Sequence, residues 1–120
     1  NLSNKKNIKD ALKFIIKKNK NLTVVITNGK NLVNGYHNKT LYRCKPPIIK
    51  INNENKAGDV MCAFFYYYFF QNLNFNLVLS KSISAGSLYV NGFNSDKSNF
   101  LKRIDKLSKK IQVSFYKNYV

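Results

Sequence analysis

Leu22-Thr23-Val24-Val25-Ile26 is an apolar, β-branched run set between two polar segments, Asn19-Lys20-Asn21 before it and Thr27-Asn28-Gly29-Lys30-Asn31 after it. Such a run reads as a short strand buried on both faces. Immediately upstream, Ile8, Leu12, Phe14, Ile15 and Ile16 are spaced for one apolar helix face, with Lys9, Lys13, Lys17 and Lys18 mostly turned outward. The spacing predicts a helix over about residues 5–18, stopping in the Asn-Lys-Asn segment. A helix followed closely by a doubly buried strand is half of an α/β crossover unit, so the chain is expected to be α/β. The polar, glycine-bearing loop that follows lies at the strand's carboxyl end, where ligands sit in open α/β sheets.

Working outward, residues 32–36 and 40–44 read as two short strands, with His37-Asn38-Lys39 as the turn between them. Asn34-Gly35 is itself a hairpin signal, but a turn there leaves the second strand badly matched. His37 is expected to be a solvated residue at the turn tip. Pro46-Pro47 breaks the pattern, and residues 48–51 read as one more short strand. A polar loop, 52–58, runs into an apolar helix over about 59–71. Asn72-Leu73-Asn74 separates it from a second helix over about 75–90, in which Ser84, Ala85, Gly86 and Ser87 allow close approach of a neighbour. Residues 91–99 read as a loop, about 100–110 as a basic helix, and the rest as a short apolar end. With no internal repeat and no linker, residues 1–120 are expected to form a single domain. The order of elements is that of the end of an α/β sandwich, and the missing strands are expected upstream in a longer polypeptide.

Composition sets the outer bounds. At 44% hydrophobic and 14% aromatic, the 120 residues can bury a core, which excludes disorder throughout. The net charge is +16, from 21 Lys+Arg against 5 Asp+Glu. A balance like that prompts a nucleic-acid or acidic-membrane reading. Yet only two of the basic residues are arginines, Arg43 and Arg103, and arginine is what base-edge readers use. Lys, Asn, Phe, Tyr and Ile all have codons rich in A and T, so coding bias explains much of the charge without any partner. The expectation is no nucleic acid and no membrane. The apolar run 60–70 is too short to span a bilayer and fits a buried helix instead. Cys44 and Cys62, beside the single histidine His37, cannot assemble a zinc site within one chain, and two reduced thiols are expected. No secretory signal is read at the start, and a cytoplasmic location is expected. The first residue is not methionine, which fits a chain that begins inside a longer protein.

Lys56-Ala57-Gly58-Asp59 has the strongest chemical content. A glycine entering a helix leaves backbone N–H groups uncovered, and the helix dipole adds positive potential there. Such a place can hold a phosphate and stabilise charge spread over a phosphoryl group in transfer. A carboxylate in the same first turn can accept the proton of an attacking hydroxyl. Taken alone, Asp59 is equally an ordinary first-turn residue that complements the dipole.

The wider context adds a resemblance. Asn53-Glu54-Asn55-Lys56-Ala57-Gly58-Asp59, opening a helix, is similar to the late Asp-Thr-Thr/Asn-Gly-Ala-Gly-Asp motif of the PfkB or ribokinase-like carbohydrate and nucleoside kinases. Upstream, Val24-Val25-Ile26 followed by Thr27-Asn28-Gly29-Lys30-Asn31-Leu32 and a hairpin resembles the family's strand, Thr-x-Gly-x-x-Gly loop and hairpin. Downstream, Ser82-Ile83-Ser84-Ala85-Gly86-Ser87-Leu88-Tyr89-Val90 resembles its Ala-rich helix. The resemblance covers about residues 8–99. It implies the carboxyl-terminal part of a ribokinase-like α/β/α sandwich, with ATP and Mg2+ as expected cofactors and a sugar or nucleoside as acceptor.

On that resemblance Asp59 is the catalytic base, and Lys56, Ala57 and Gly58 form the anion hole. Thr27 and Gly29 face the ATP phosphates and ribose, and Ser84 lies by the adenine pocket. Asn53 and Asn55 stand where some members bind a monovalent cation, although Asn53 replaces an Asp and removes a negative charge. An Asn before the anion hole leans towards the pseudouridine kinase branch. Two positions depart from the pattern: Lys56 stands for a Gly of the anion hole, and Leu32 for the second Gly of the ATP loop. The acceptor-binding half, the lid strands and the family's magnesium-linked Asn-x-x-Glu motif all lie upstream of this segment. The alternative to a phosphotransferase is a degenerate, non-catalytic kinase-like domain, marked by those two substitutions.

Overall fold

A computed structural model of the chain describes residues 6–28, 31–47, 57–90 and 97–119. Helix α1 spans Lys6–Lys18, close to expectation. Strand β1 is Val24–Ile26, β2 Val33–His37, β3 Thr40–Cys44 and β4 Val113–Lys117. Helices α2, α3 and α4 span Ala57–Phe69, Phe75–Val90 and Lys97–Ser108, and all three lie between β3 and β4 in sequence.

The four strands form one sheet in the order β1-β2-β3-β4, with antiparallel neighbours throughout. The strand read from the 22–26 run is thus shorter than expected. Its one partner among the described residues is the antiparallel β2, not a parallel neighbour, and all three of its residues are only half-buried. The short apolar end read after the last helix is strand β4, which forms by pairing with β3 although four of its five residues are exposed.

The hairpin follows the later of the two turn signals. His37 pairs with Thr40, leaving Asn38 and Lys39 as a two-residue loop with φ of 50° and 62°. Two positive φ values are what a type I′ turn requires, and Asn accepts that conformation at low cost. The proposed 48–51 strand lies outside the described residues.

Strand alternation sorts the sheet into two faces. On one, Tyr36 and Leu41 pack with Val24 and Ile26 against Leu12 and Ile16 of α1. On the other, Val33 and Cys44 pack with Phe75, Leu79 and Ile83 of α3, joined by Met61, Phe65 and Phe69 of α2. Helix α4 lies further out, where its Phe100 and Ile104 meet Tyr68, Val78 and Ala85. The result is helix, sheet, helices: an α/β/α arrangement, as the sequence implied. Phe14 departs from the predicted α1 face. It is 61% exposed, with the Lys18 ammonium 5.3 Å from its ring centre.

Helix α3 sits directly on the sheet at Gly35, where an added Cβ would lie 2.9 Å from a Leu79 methyl and 3.0 Å from the Phe75 ring. Its polar residues are buried without being orphaned. Ser80, Ser82 and Ser84 donate their hydroxyls to the carbonyls of Leu77, Val78 and Ser80, one turn back. The apolar run of α2 is not the buried helix it was read as. Only Tyr68 is buried along it, while Tyr66, Tyr67 and Phe70 are 59%, 51% and 74% exposed. A helix apolar on every side can offer one stripe to α3, α4 and the sheet, and the rest stays outside among the described residues.

Candidate functional site

The direction of α3 decides where the amino end of α2 falls. Phe75, at the start of α3, stacks on His37 and leans on Tyr42, and Leu79 one turn later covers Gly35. The helix therefore runs from the hairpin turn towards the Val33 end of β2. Helix α2 runs back beside it. Its last residue, Phe69, meets His37 edge-on at 5.6 Å, and its first, Ala57, meets Gly86 near the far end of α3. At Gly86 an added Cβ would lie 3.3 Å from both the Ala57 carbonyl oxygen and the Met61 Cβ. The amino end of α2 is thereby carried to the end of the sheet where Thr27 leaves β1 and Leu32 enters β2.

At that end Asp59 stands in the first turn of α2, exposed, as the sequence placed it, although the helix begins two residues earlier than expected. Gly58 is exposed, and a Cβ there would meet nothing within 4 Å. The first amides of a helix have no intrahelical acceptor and lie at the positive end of its dipole, so Gly58 and Asp59 stand where an anion is favoured. Thr27 is exposed beside the end of β1. Ser84 is placed differently: it is fully buried, and its hydroxyl is committed to the Ser80 carbonyl at 2.7 Å. Gly29, Asn53, Asn55 and Lys56 lie outside the described residues. The structure thus gathers Ala57, Gly58, Asp59 and Thr27 at one end of the fold. Among the described residues no three His, Cys, Asp or Glu side chains come together where they could hold a metal ion.

His37 is not the solvated turn residue expected of it. Its Nδ1 lies 2.9 Å from Thr23 Oγ1, and its ring stacks on Phe75 at 4.7 Å, with planes 15° apart. Desolvation by these neighbours lowers its pKa below the ordinary histidine value. It sits at the hairpin end of the sheet, away from Asp59. Both cysteines are free; Cys44 is buried, which pushes its thiol pKa up to about 12, whereas Cys62 is exposed on α2.

Comparison with known proteins bears on the fold. No protein-family profile matches this chain, and no curated protein matches it either. Eleven solved chains do match in structure. Among them is the crystal structure described as "a putative phosphofructokinase from Staphylococcus aureus", with a TM-score of 0.66 at 16% sequence identity. The likeness covers 79% of this chain and 30% of that one. At that identity it shows the fold alone: this chain has the α/β architecture of part of that protein and spans about 30% of its length.

Proposed function

We propose that this chain carries the phosphate-facing, base-bearing part of an ATP-dependent phosphotransferase of the PfkB/ribokinase-like family. Its acceptor is a hydroxyl of a sugar or nucleoside. The observation that carries the reading is the amino end of α2, where Gly58 and Asp59 are exposed in the first turn at the Thr27 end of a fold like that of the chain described as "a putative phosphofructokinase".

In this reading ATP supplies the γ-phosphoryl group. The Ala57 and Gly58 amides, with the dipole of α2 behind them, hold the phosphoryl oxygens and offset the charge that spreads over them in transfer. Asp59 accepts the proton of the acceptor hydroxyl as that oxygen bonds to phosphorus and the bond to the ADP oxygen breaks. Lys56 brings a further positive charge to the anion hole, and Thr27 and Gly29 lie against the nucleotide phosphates. Ser84 contributes through packing beneath the nucleotide rather than through its hydroxyl. Magnesium fits as a companion of the nucleotide phosphates, held by groups beyond the described residues. The rest of a longer polypeptide supplies the acceptor-binding half, and the protein works in the cytoplasm without nucleic acid or membrane. The absence of a nucleic-acid partner is supported by the lysines of α1 and α4, which lie on opposite sides of the sheet rather than on one face.

The test is transfer from ATP by the longest natural polypeptide that carries this chain. It is assayed against a panel of sugars and nucleosides that includes pseudouridine, with Asp59→Ala as control. Transfer to one acceptor, lost in the control, is the expected result. Absence of transfer to every acceptor by a folded, ATP-binding protein would overturn it in favour of the degenerate domain, with Lys56 and Leu32 as the cause.

A further inference from the structure

A groove of about 540 Å³ opens at the β3–β4 side of the sheet; it shares Leu32 with the loop before β2, but none of Thr27, Ala57, Gly58 and Asp59 lines it. Its walls carry three cationic residues, Arg43, Lys45 and Lys110, with Tyr116, Leu32 and Ile111 as apolar neighbours. Among the described residues no carboxylate lines it, and the Lys81–Asp105 ion pair lies elsewhere.

Strand register fixes which side of the sheet the groove uses. Asn34, Arg43 and Ser114 lie directly opposite one another across β2, β3 and β4, and Tyr116 stands opposite Leu41, which faces α1. These side chains therefore share the α1 face, whereas Asp59 belongs to a helix on the other face. The Arg43 Nε donates to Asn34 Oδ1 at 3.1 Å, which holds the guanidinium along the sheet. A guanidinium fixed through Nε still presents its terminal N–H groups, and those match phosphate oxygens. Tyr116 is 50% exposed, and no other ring packs on it among the described residues.

We propose that this groove binds a nucleoside phosphate at a site separate from the α2 end, Arg43, Lys45 and Lys110 taking the phosphates and Tyr116 stacking on the base. The pairing of one fixed guanidinium and two exposed ammonium groups with an unpartnered ring selects this class, because phosphate alone has no use for the ring and a flat apolar ligand has none for the charges. The inference does not rest on phosphotransfer. Binding here can succeed where transfer fails, and the reverse.

The experiment is a titration of the chain with ADP and, separately, with sodium tripolyphosphate, followed residue by residue through backbone amide NMR shifts. Expected are shifts at Leu32, Arg43, Lys45, Ile111 and Ser114, with ADP the tighter ligand. Lys45→Glu/Lys110→Glu should weaken ADP about tenfold or more, from the loss of two charge-assisted contacts. Arg43→Gln, a milder change, should weaken it without altering the melting temperature. Lys13→Glu/Lys17→Glu on α1 makes the same change of net charge and should leave affinity as it was. Equal weakening by the α1 pair would reduce the binding to general attraction and overturn the site. So would shifts confined to residues near Thr27 and Gly58, tripolyphosphate binding as tightly as ADP, or a single-stranded oligonucleotide binding far more tightly with a steep salt dependence.

Discussion

Gly86 of α3 lies against the carbonyl of Ala57, so closely that a methyl group on Gly86 would stand 3.3 Å from that oxygen. This contact links the small-residue stretch of α3 to the first residue of α2, the helix before it. It sets the position of the amino end of α2, and with it the place of Gly58 and Asp59. Replacing a helix glycine by alanine ordinarily stabilises by about 0.5–1 kcal/mol. Here the new Cβ is opposed by backbone and by Met61, so Gly86→Ala should forfeit that gain. Gly86→Val should cost about 1–3 kcal/mol through overpacking. Urea denaturation of the two variants measures both, and a stabilised Gly86→Ala would mean that the helices part more readily than their contact implies.

Asp59 is exposed and its neighbour Gly58 faces open space, so its removal leaves no cavity. Asp59→Ala should lower stability by no more than the dipole term, about 0.3–1 kcal/mol. If the proposed mechanism holds, the same change abolishes phosphate transfer by the longer polypeptide. A large loss of stability would make Asp59 a structural residue and leave its chemical role without support.

The two thiols should respond to reagent very differently. Cys62 is exposed on α2, whereas Cys44 is buried with its thiol pKa pushed up to about 12. The thiolate is the nucleophile, so Cys44 is protected twice, by access and by protonation. Labelling at pH 8 followed by mass spectrometry should give one fast adduct, at Cys62. Cys44 should react only after denaturation.

His37 gives the fold a pH dependence near neutrality. Its pKa is lowered in the folded protein by desolvation, so between the folded and unfolded values the unfolded chain binds more protons. Stability from the neutral ring is therefore full above the unfolded value, near 6.5, and is lost as pH falls through it towards the lower folded value. The chain has no other histidine. The urea midpoint should fall between pH 7 and pH 5.5, and His37→Gln should flatten that slope. A slope of the same size in His37→Gln would assign it to other groups.

Leu79 is fully buried where α3 crosses Gly35. Leu79→Ala should cost about 2–5 kcal/mol, the range for a buried leucine whose surroundings relax only partly. A cost below 1 kcal/mol would mean that α3 settles onto Gly35 and closes the gap.

Much of this architecture was legible from residue order. The apolar spacing of Leu12 and Ile16 marked α1, and α3 has the limits that its pattern suggested. The hairpin turn could be placed at His37-Asn38-Lys39 rather than Asn34-Gly35 because the earlier turn leaves the second strand badly matched, and the structure narrows it to Asn38-Lys39. The stretch from Ser84 to Ser87 announced close helix contact, and Gly86 makes it. All of these depend on neighbours a few residues apart, for which local pattern is a sufficient signal.

What the chain order could not carry are the encounters between distant segments. Strand β4 exists because Val113–Lys117 finds β3, with Val113 opposite Cys44, and a short apolar end does not name the distant strand it will join. His37 was read as solvated because nothing near it in sequence covers it; Phe69 and Phe75 do so from the end of α2 and the start of α3. The exposed aromatic side of α2 was hidden in the same way, since a run apolar on all sides does not say which stripe will be covered. Ser84 shows the limit most plainly. Its place in the chain suggested a pocket, but its hydroxyl closes on Ser80 within the same helix. Sequence alone determined the helices, the hairpin and an Asp in a glycine-led first turn. The tertiary structure decided that this turn opens beside Thr27, and that Arg43, Lys110 and Tyr116 share a groove on the opposite face, because burial and strand pairing bring together residues that the chain keeps far apart.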